Sequence, residues 1–391
     1  MASLKHWLWL STLPGLGNQG KLALLRRYGD PEEIYYAGGG ELLSTGLLTV
    51  DQARSLDNKS MKTAEAVLAD CQRLGLRILT LRDGEYPGRL QNIYDPPILL
   101  YTKGRMVAFD EEAAVAVVGT RECTPYGIAC ARKLGHGLAK GGAVVVSGLA
   151  RGVDAEASHA ALRAGGVAVG VVGNGLDIAY PASSRYLYED IAAGGLLISE
   201  YPPGTRPSGG HFPARNRILS GLSVATVVVE APEKSGALIT AEAAAEQGRD
   251  VFAVPGPIDA PMSVGCNRLI RDGAGLVSDA WDILREYQDL FPGKIKCEGT
   301  AEAPPQEGFD RGEKPAPVPV PPSIGPEGLT EEQLALLRIL PQEEGMLADD
   351  LAEESGLPIR RVLAALTLLE IGDLASQQPG KRYVRNVTLV E

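Results

Sequence analysis

The chain has 391 residues, enough for two or three domains with a sizeable core, and its 45% hydrophobic and 22% charged residues are the balance of a soluble globular protein. A net charge of -11, taken alone, argues against nucleic acid as a partner, although local basic charge can oppose the total. No apolar run reaches the ~20 residues of a membrane span, no signal-peptide pattern opens the chain, and five scattered cysteines without a CxxC pair fit a reducing cytoplasm and exclude a zinc or redox motif.

Residues 1 to about 75 read as short helices broken by glycine. LPGLGNQGKLALLRRYGDPEEI has a Gly-rich turn opening an amphipathic helix, the form of a SAM-like or helix-hairpin-helix unit. Such a unit either binds nucleic-acid backbones through turn amides or only packs, and packing is the favoured role. From about 76 to 290, apolar strands alternate with Ala-rich helices. RILTL, PPILLY, AVAVVG, AVVVSG, VAVGVVG, GLLISE, ATVVVE and DVFAVPG are near-continuous apolar runs, as expected of a parallel sheet buried on both faces. GIACARKLGHGLAK, AEASHAALRAG and ALITAEAAAEQG are the helices between them. The fold class is therefore α/β, a doubly wound, mostly parallel sheet. Residues from about 291 to 328 form a Pro-rich linker, KPAPVPVPPSIGP being its clearest part. From 329 to 391, TEEQLALLRIL, MLADDLAEESG and PIRRVLAALTLLEIGDL read as three helices before QQPGKRYVR, which suggests a winged helix with GK as the wing turn. Its third helix offers only Arg360 and Arg361, beside the acidic DDLAEE, with Lys381, Arg382 and Arg385 in the wing. A partner-binding role is favoured there over base reading.

The loops at the strand ends carry the chemistry. AVAVVG runs into GTRECTPYG and then a helix, which is anion-binding geometry. It is neither GxGxxG nor a P-loop, so standard dinucleotide or ATP binding loses ground. The next strand ends in SGLARGVD, with Asp154 as the expected N-cap. VVGNGLDIAYPASSRY, SEYPPGTRPSGGHFPARNR and EAPEKSGALIT repeat the pattern of strand end, Gly/Pro/Ser loop and helix start. In a parallel sheet such loops share one edge, where ligands bind. They collect Arg121, Arg151, Arg185, Arg206, Arg215, Arg217 and Lys234 beside Asp154, Asp177, Glu200 and Glu230. This mixed set suits a few discrete phosphates. In HFPARNRILSG, Pro213 is expected at the first helical position, which puts Arg215 and Arg217 at the positive end of a helix dipole. An anionic ligand relieves that conflict, with Phe212 as a stacking face for an unpaired base. Alternatively, Glu200 or Glu230 pairs with the arginines and Phe212 is core.

Six strings together resemble the DprA (Smf) family of bacterial DNA-processing proteins: YPGRLQNIYDPPILLYTKG, VVGTRECTPYG, SGLARGVD, FPARNRILSGLS, SGALITAEAAAEQGRDVFAVPG and GCNRLIRDGAGLV. The resemblance spans all three regions and is densest from about 85 to 285. It implies an extended Rossmann-like core that binds single-stranded DNA, a homodimer, and a recombination mediator that helps load the RecA recombinase on strands coated by single-strand-binding protein during natural transformation. It implies no catalysis and no cofactor. Carried over by motif, Gly119, Arg121, Ser147 and Gly148 are phosphate-binding positions; Phe212, Arg215, Asn216 and Arg217 form the second wall; Ser235, Gly236 and Thr240 close the pocket. There are two departures. GVDAEASHAAL puts Ser158 where the family has His and moves His159 by one residue, about 100° around a helix. Ser184 replaces the usual Asn of YPxxNxxL, with Arg185 beside it as a compensating DNA contact. The competing expectation is a nucleotide phosphoribohydrolase on a related fold. APEKSGALITAE lacks the spacing of that family's PGGxGTxxE loop, and no catalytic set or metal cluster is evident in the sequence.

Overall fold

Each of the eight apolar runs forms a strand, and the five central ones are buried along their whole length. In the computed structural model, which describes residues 3–296, 323–324, 329–341, 345–371, 374–378 and 382–389, these are β1 (Arg77–Thr80), β2 (Leu99–Gly104), β3 (Ala114–Val118), β4 (Val144–Ser147), β5 (Ala168–Val172), β6 (Leu196–Ser199), β7 (Ala225–Val228) and β8 (Asp250–Ala253). A short ninth strand, β9 (Gly275–Leu276), extends the edge. Along β3, Val115 and Val117 enter one hydrophobic cluster while Ala114, Ala116 and Val118 enter another. This is the period-two alternation of a strand covered on both sides.

The sheet runs β1-β2-β6-β5-β4-β3-β7-β8-β9. Neighbours from β6 to β9 are parallel, and β2 is antiparallel to both β1 and β6. Strands β4 to β6 step away on one side of β3, and β7 to β9 on the other. The loops after β3 and β7 therefore part at the carboxyl edge. That is the topological switch point at which α/β sheets bind ligands.

The N-terminal helices, from Leu4–Thr12 to Lys62–Leu74, share a hydrophobic cluster with one face of the sheet. The hairpin between the first two is docked within the chain. Asn18 Nδ2 donates to Asp95 Oδ1 and to the Pro96 carbonyl, both at 2.8 Å, and Gln19 Nε2 donates to Asp95 Oδ1 at 2.8 Å. In this structure the turn packs.

Residues 307–391 form a second compact unit. Three helices, Glu331–Ile339, Ala348–Ser355 and Ile359–Ile371, close over Leu336, Leu351, Val362 and Leu366, beside a three-stranded antiparallel sheet of Met346–Leu347, Arg382–Arg385 and Ala375–Gln378. This is a winged helix. Thr330 and Gln333 form the capping box that starts its first helix. Arg361 is paired with Glu332 at 3.0 Å, and Arg382 donates to the Gly345 carbonyl at 2.7 Å. Most of the Pro-rich linker, and the expected wing turn at Gly380 and Lys381, lie outside the described residues. Among the described residues no helix is long and apolar enough to cross a membrane.

Candidate nucleic-acid interface

Past Val118 the chain turns through Gly119–Cys123, and Thr124 caps the helix Pro125–Lys140 by accepting from the Gly127 amide at 3.2 Å. Glu230, at the end of β7, fixes this loop. Its carboxylate accepts from Thr124 N at 3.0 Å and Thr124 Oγ1 at 2.6 Å, and its carbonyl accepts from Thr120 N at 2.7 Å. Gly119 has no room for a side chain, since a Cβ would stand 2.5 Å from Val153 Cγ2. On the facing side Ser235 caps the helix Gly236–Glu246, accepting from the Ala237 amide at 3.3 Å. Between them lies a crevice of about 300 Å³. Gly119 and Arg121 border it on one side, Ser235, Gly236 and Thr240 on another, and Phe212, Arg215 and Asn216 on a third. The structure thus brings together eight of the twelve expected site residues.

The helix His211–Gly221 starts two residues earlier than expected, so Pro213 is its third residue, Arg215 its fifth and Arg217 its seventh. Both arginines sit in the second turn, where the dipole has largely faded. Arg215 runs inward, is only 6% exposed, and donates from Nη1 to the Val171 carbonyl at the end of β5. Its guanidinium occupies the space above Gly148, where a Cβ would lie 2.2 Å from Nη1. Glycine at 148 is therefore required by the arginine. Burial pulls the Arg215 pKa down and the nearby Asp154 charge opposes that. Burial likewise pushes the Asp154 carboxyl above its ordinary value, against the Arg215 charge.

The expectation that Asp154 is an N-cap is corrected. Gly152 holds that position, and the Asp154 carboxylate reaches back to accept from the Gly148 amide at 3.1 Å and the Ala150 amide at 3.4 Å. Ser147 Oγ donates to the Asp154 carbonyl at 3.3 Å. Ser147 and Gly148 thus lie under the crevice and shape its floor, outside its lining. Arg215 Nε keeps no hydrogen-bond partner among the described residues. A buried cation with an unpartnered donor is a source of positive potential at that floor.

Arg217 lies about 200° around the helix from Arg215. Its Nε donates to Asp95 Oδ2 at 2.9 Å, and Nη1 and Nη2 donate to the two Glu200 oxygens at 2.9 and 2.8 Å. The second wall of the expected site loses this residue, because its donors are taken by two carboxylates. Arg185 opens the helix Arg185–Gly194, is exposed, and does not border the crevice. Ser158, in the place of the family's histidine, is buried and donates to the Asp154 carbonyl at 2.8 Å.

Phe212 stands at the rim. The Arg121 guanidinium lies 5.3 Å from its ring centre, and the Tyr180 ring stacks with it at 5.6 Å and 28°. Tyr180 is 42% exposed. Neither Tyr180 nor the exposed Lys234 at the rim was among the expected site residues. A lone tyrosine in a Gly/Pro loop has no periodic signal; Lys234 had one, as a basic residue in the same loop as Ser235. A larger open groove of about 1510 Å³ follows β8, β9 and the helix Gly236–Glu246, and of the expected residues it meets only Ser235 and Gly236. The crevice combines amides at helix starts, a recessed cation, a rim cation and the acids Asp154 and Glu122, and Phe212 at its rim stacks with Tyr180 just outside it. The amides and cations can hold an anionic backbone while a flat ring lies against Phe212.

The sequence model of a family described as DNA recombination-mediator protein A matches residues 77–288, and that of the DprA winged helix domain matches residues 317–381. The chain is 40% identical over 334 residues to protein Smf of Synechocystis, covering 81% of this chain and 82% of that one. It is 34% identical over 345 residues to protein Smf of Escherichia coli, covering 88% and 86%. The X-ray structure of DNA processing protein A from Streptococcus pneumoniae superposes with a TM-score of 0.65 at 36% identity, covering 73% of this chain and 99% of that one.

Proposed function

The chain belongs to the DNA recombination-mediator protein A family, and on that premise we propose that it binds single-stranded DNA in the switch-point crevice and mediates recombination without catalysing a reaction. One observation carries this reading: the Arg121–Phe212 pair at the rim of a crevice floored by Arg215. A crevice of about 300 Å³ admits a phosphate and part of a nucleotide. A duplex keeps its bases stacked inside and cannot offer a ring to Phe212. On the same reading the bound strand passes to the RecA recombinase in the cytoplasm during natural transformation, with single-strand-binding protein and a second copy of this chain as further partners. The domain borders near residues 75, 290 and 328 belong to this proposal.

The test is fluorescence anisotropy with an unstructured single strand and a duplex of equal length across a salt series. The single strand should bind more tightly, and its affinity should fall as salt rises. Equal affinity for the duplex, or no binding at low salt, overturns the proposal. Steady release of free base from nucleoside monophosphates would support a phosphoribohydrolase instead.

A further inference from the structure

Phe212 borders two concavities. Besides the crevice there is a shallow groove of about 580 Å³, walled by Ile178, Tyr180, Arg206, Pro207 and Phe212. It is built from the loops after β5 and β6, and these are stitched together. The Gly204 amide donates to Asp177 Oδ1 at 2.9 Å, and the Gly175 amide to the Thr205 carbonyl at 2.9 Å. His211 Nδ1 lies 2.9 Å from the Gly173 carbonyl, and its ring stacks on Tyr201 at 4.1 Å. The Tyr188 hydroxyl holds the Tyr180 backbone, donating to its carbonyl at 3.2 Å. The walls are therefore formed before any ligand arrives, which lowers the ordering cost of binding.

The chemistry of the walls identifies the occupant. Tyr180 offers an exposed ring already stacked on Phe212, Ile178 and Pro207 add apolar surface, and Arg206 is exposed with no ion pair among the described residues. Apolar flat walls beside one unspent cation fit a nucleobase with its backbone phosphate. The groove is also continuous with the crevice through Phe212. We infer that it is a second nucleotide subsite, in which an unpaired base lies against Tyr180 and the adjoining phosphate lies beside Arg206. The inference rests on the single-stranded DNA reading above and gives the strand a direction of travel, from the crevice over Phe212 toward Arg206.

The experiment compares an oligothymidylate with a fully abasic strand of the same length, using the full chain and its Tyr180→Ala, Tyr180→Phe and Arg121→Ala variants. A purely structural effect of Tyr180→Ala weakens both strands equally. A stacking subsite instead lowers the preference for the base-bearing strand, on the order of 10-fold, and Tyr180→Phe restores it. A 5-iodouracil strand irradiated on the unaltered protein should also cross-link at Tyr180, read by peptide mass spectrometry. An unchanged preference in Tyr180→Ala, or cross-links that omit Tyr180, overturns the subsite. If Arg121→Ala still weakens the oligothymidylate in that case, the crevice reading stands. If the unaltered protein binds neither strand, both readings fall.

Discussion

The two arginines of the helix His211–Gly221 should separate by experiment. Arg217→Ala removes four hydrogen bonds at 2.8 to 2.9 Å, three of them to carboxylates and one to the Ala214 carbonyl, and leaves Asp95 and Glu200 without their shared cation. Truncating one member of a buried ionic network costs about 3–5 kcal/mol. Here Arg217, Asp95 and Glu200 keep 15%, 29% and 19% side-chain exposure, so water takes up part of the loss. A fair expectation is about 2–4 kcal/mol. At roughly 2–3 °C per kcal/mol for a large domain, the melting temperature should fall by roughly 4–12 °C. Affinity for single-stranded DNA, measured well below that temperature, should stay within about 3-fold of the unaltered protein, under 1 kcal/mol. Arg121→Ala should do the reverse. Its side chain is exposed, so melting should hardly move, while binding weakens on the order of 10-fold. Differential scanning fluorimetry and anisotropy on the same preparations decide the matter. If Arg217→Ala melts like the unaltered protein and loses binding as Arg121→Ala does, then the ion pairs are not what hold Arg217, and the reasoning fails.

Gly148→Ala should disturb the floor of the crevice, because the new methyl would stand 2.2 Å from Arg215 Nη1. Overpacking of this kind costs about 1–3 kcal/mol, so both thermal stability and single-stranded DNA affinity should drop; if neither changes, Arg215 does not form that floor. Asp154→Asn tests the buried carboxylate through pH. Burial holds its pKa above the unfolded value, so its contribution is fully present below about pH 3.9 and is lost as the pH rises through the raised native value. The variant titrates nothing there. Its stability relative to the unaltered protein should therefore climb as pH rises from about 4, and urea melts showing a flat or falling difference would refute the burial argument.

The strands were legible because a strand covered on both faces is apolar along almost its whole length: β3 is so throughout, and β4 departs only at its last residue, Ser147. β9 was missed because two residues at a sheet edge, Gly275 and Leu276, leave no such run. The crevice was legible for a related reason: a parallel sheet sends every strand-to-helix loop to one edge, so Gly119, Arg121 and Ser235 had to meet. Side-chain direction was less accessible. Arg215 and Arg217 look alike in sequence, and only the start of the helix at His211, with acceptors brought in from elsewhere, separates them. Asp95 is 122 residues away from Arg217 along the chain. A pairing at that distance follows from β2 joining the sheet beside β6 while the N-terminal helices pack on its face, and no local pattern encodes it. The N-cap was misassigned for a similar reason: the carboxylate of Asp154 serves the loop before the helix instead of the helix's own first amides.

An acidic chain can still hold a polyanion, provided that most carboxylates at the binding edge are already engaged. Four of the acids there are engaged within the chain, whereas Glu122, which lines the crevice, is exposed and meets Arg151 only at 3.9 Å. Glu230 accepts from Thr124, Asp177 from the Gly204 amide, Asp154 from the Gly148 and Ala150 amides, and Glu200 from Arg217. Each of these carboxylates therefore shapes a loop while its field is partly cancelled by the donors it faces. The basic residues divide differently. Arg217 is used up in this internal structure, whereas Arg121 and Arg206 are exposed beside the ring pair of Phe212 and Tyr180. At about 0.15 M salt, charges more than about 8 Å away are largely screened. The strand would thus feel chiefly the exposed charges beside it, Arg121, Arg206 and Glu122, and only weakly the acidic surface beyond. Net charge, taken alone, pointed away from nucleic acid because it counts spent and unspent charges equally.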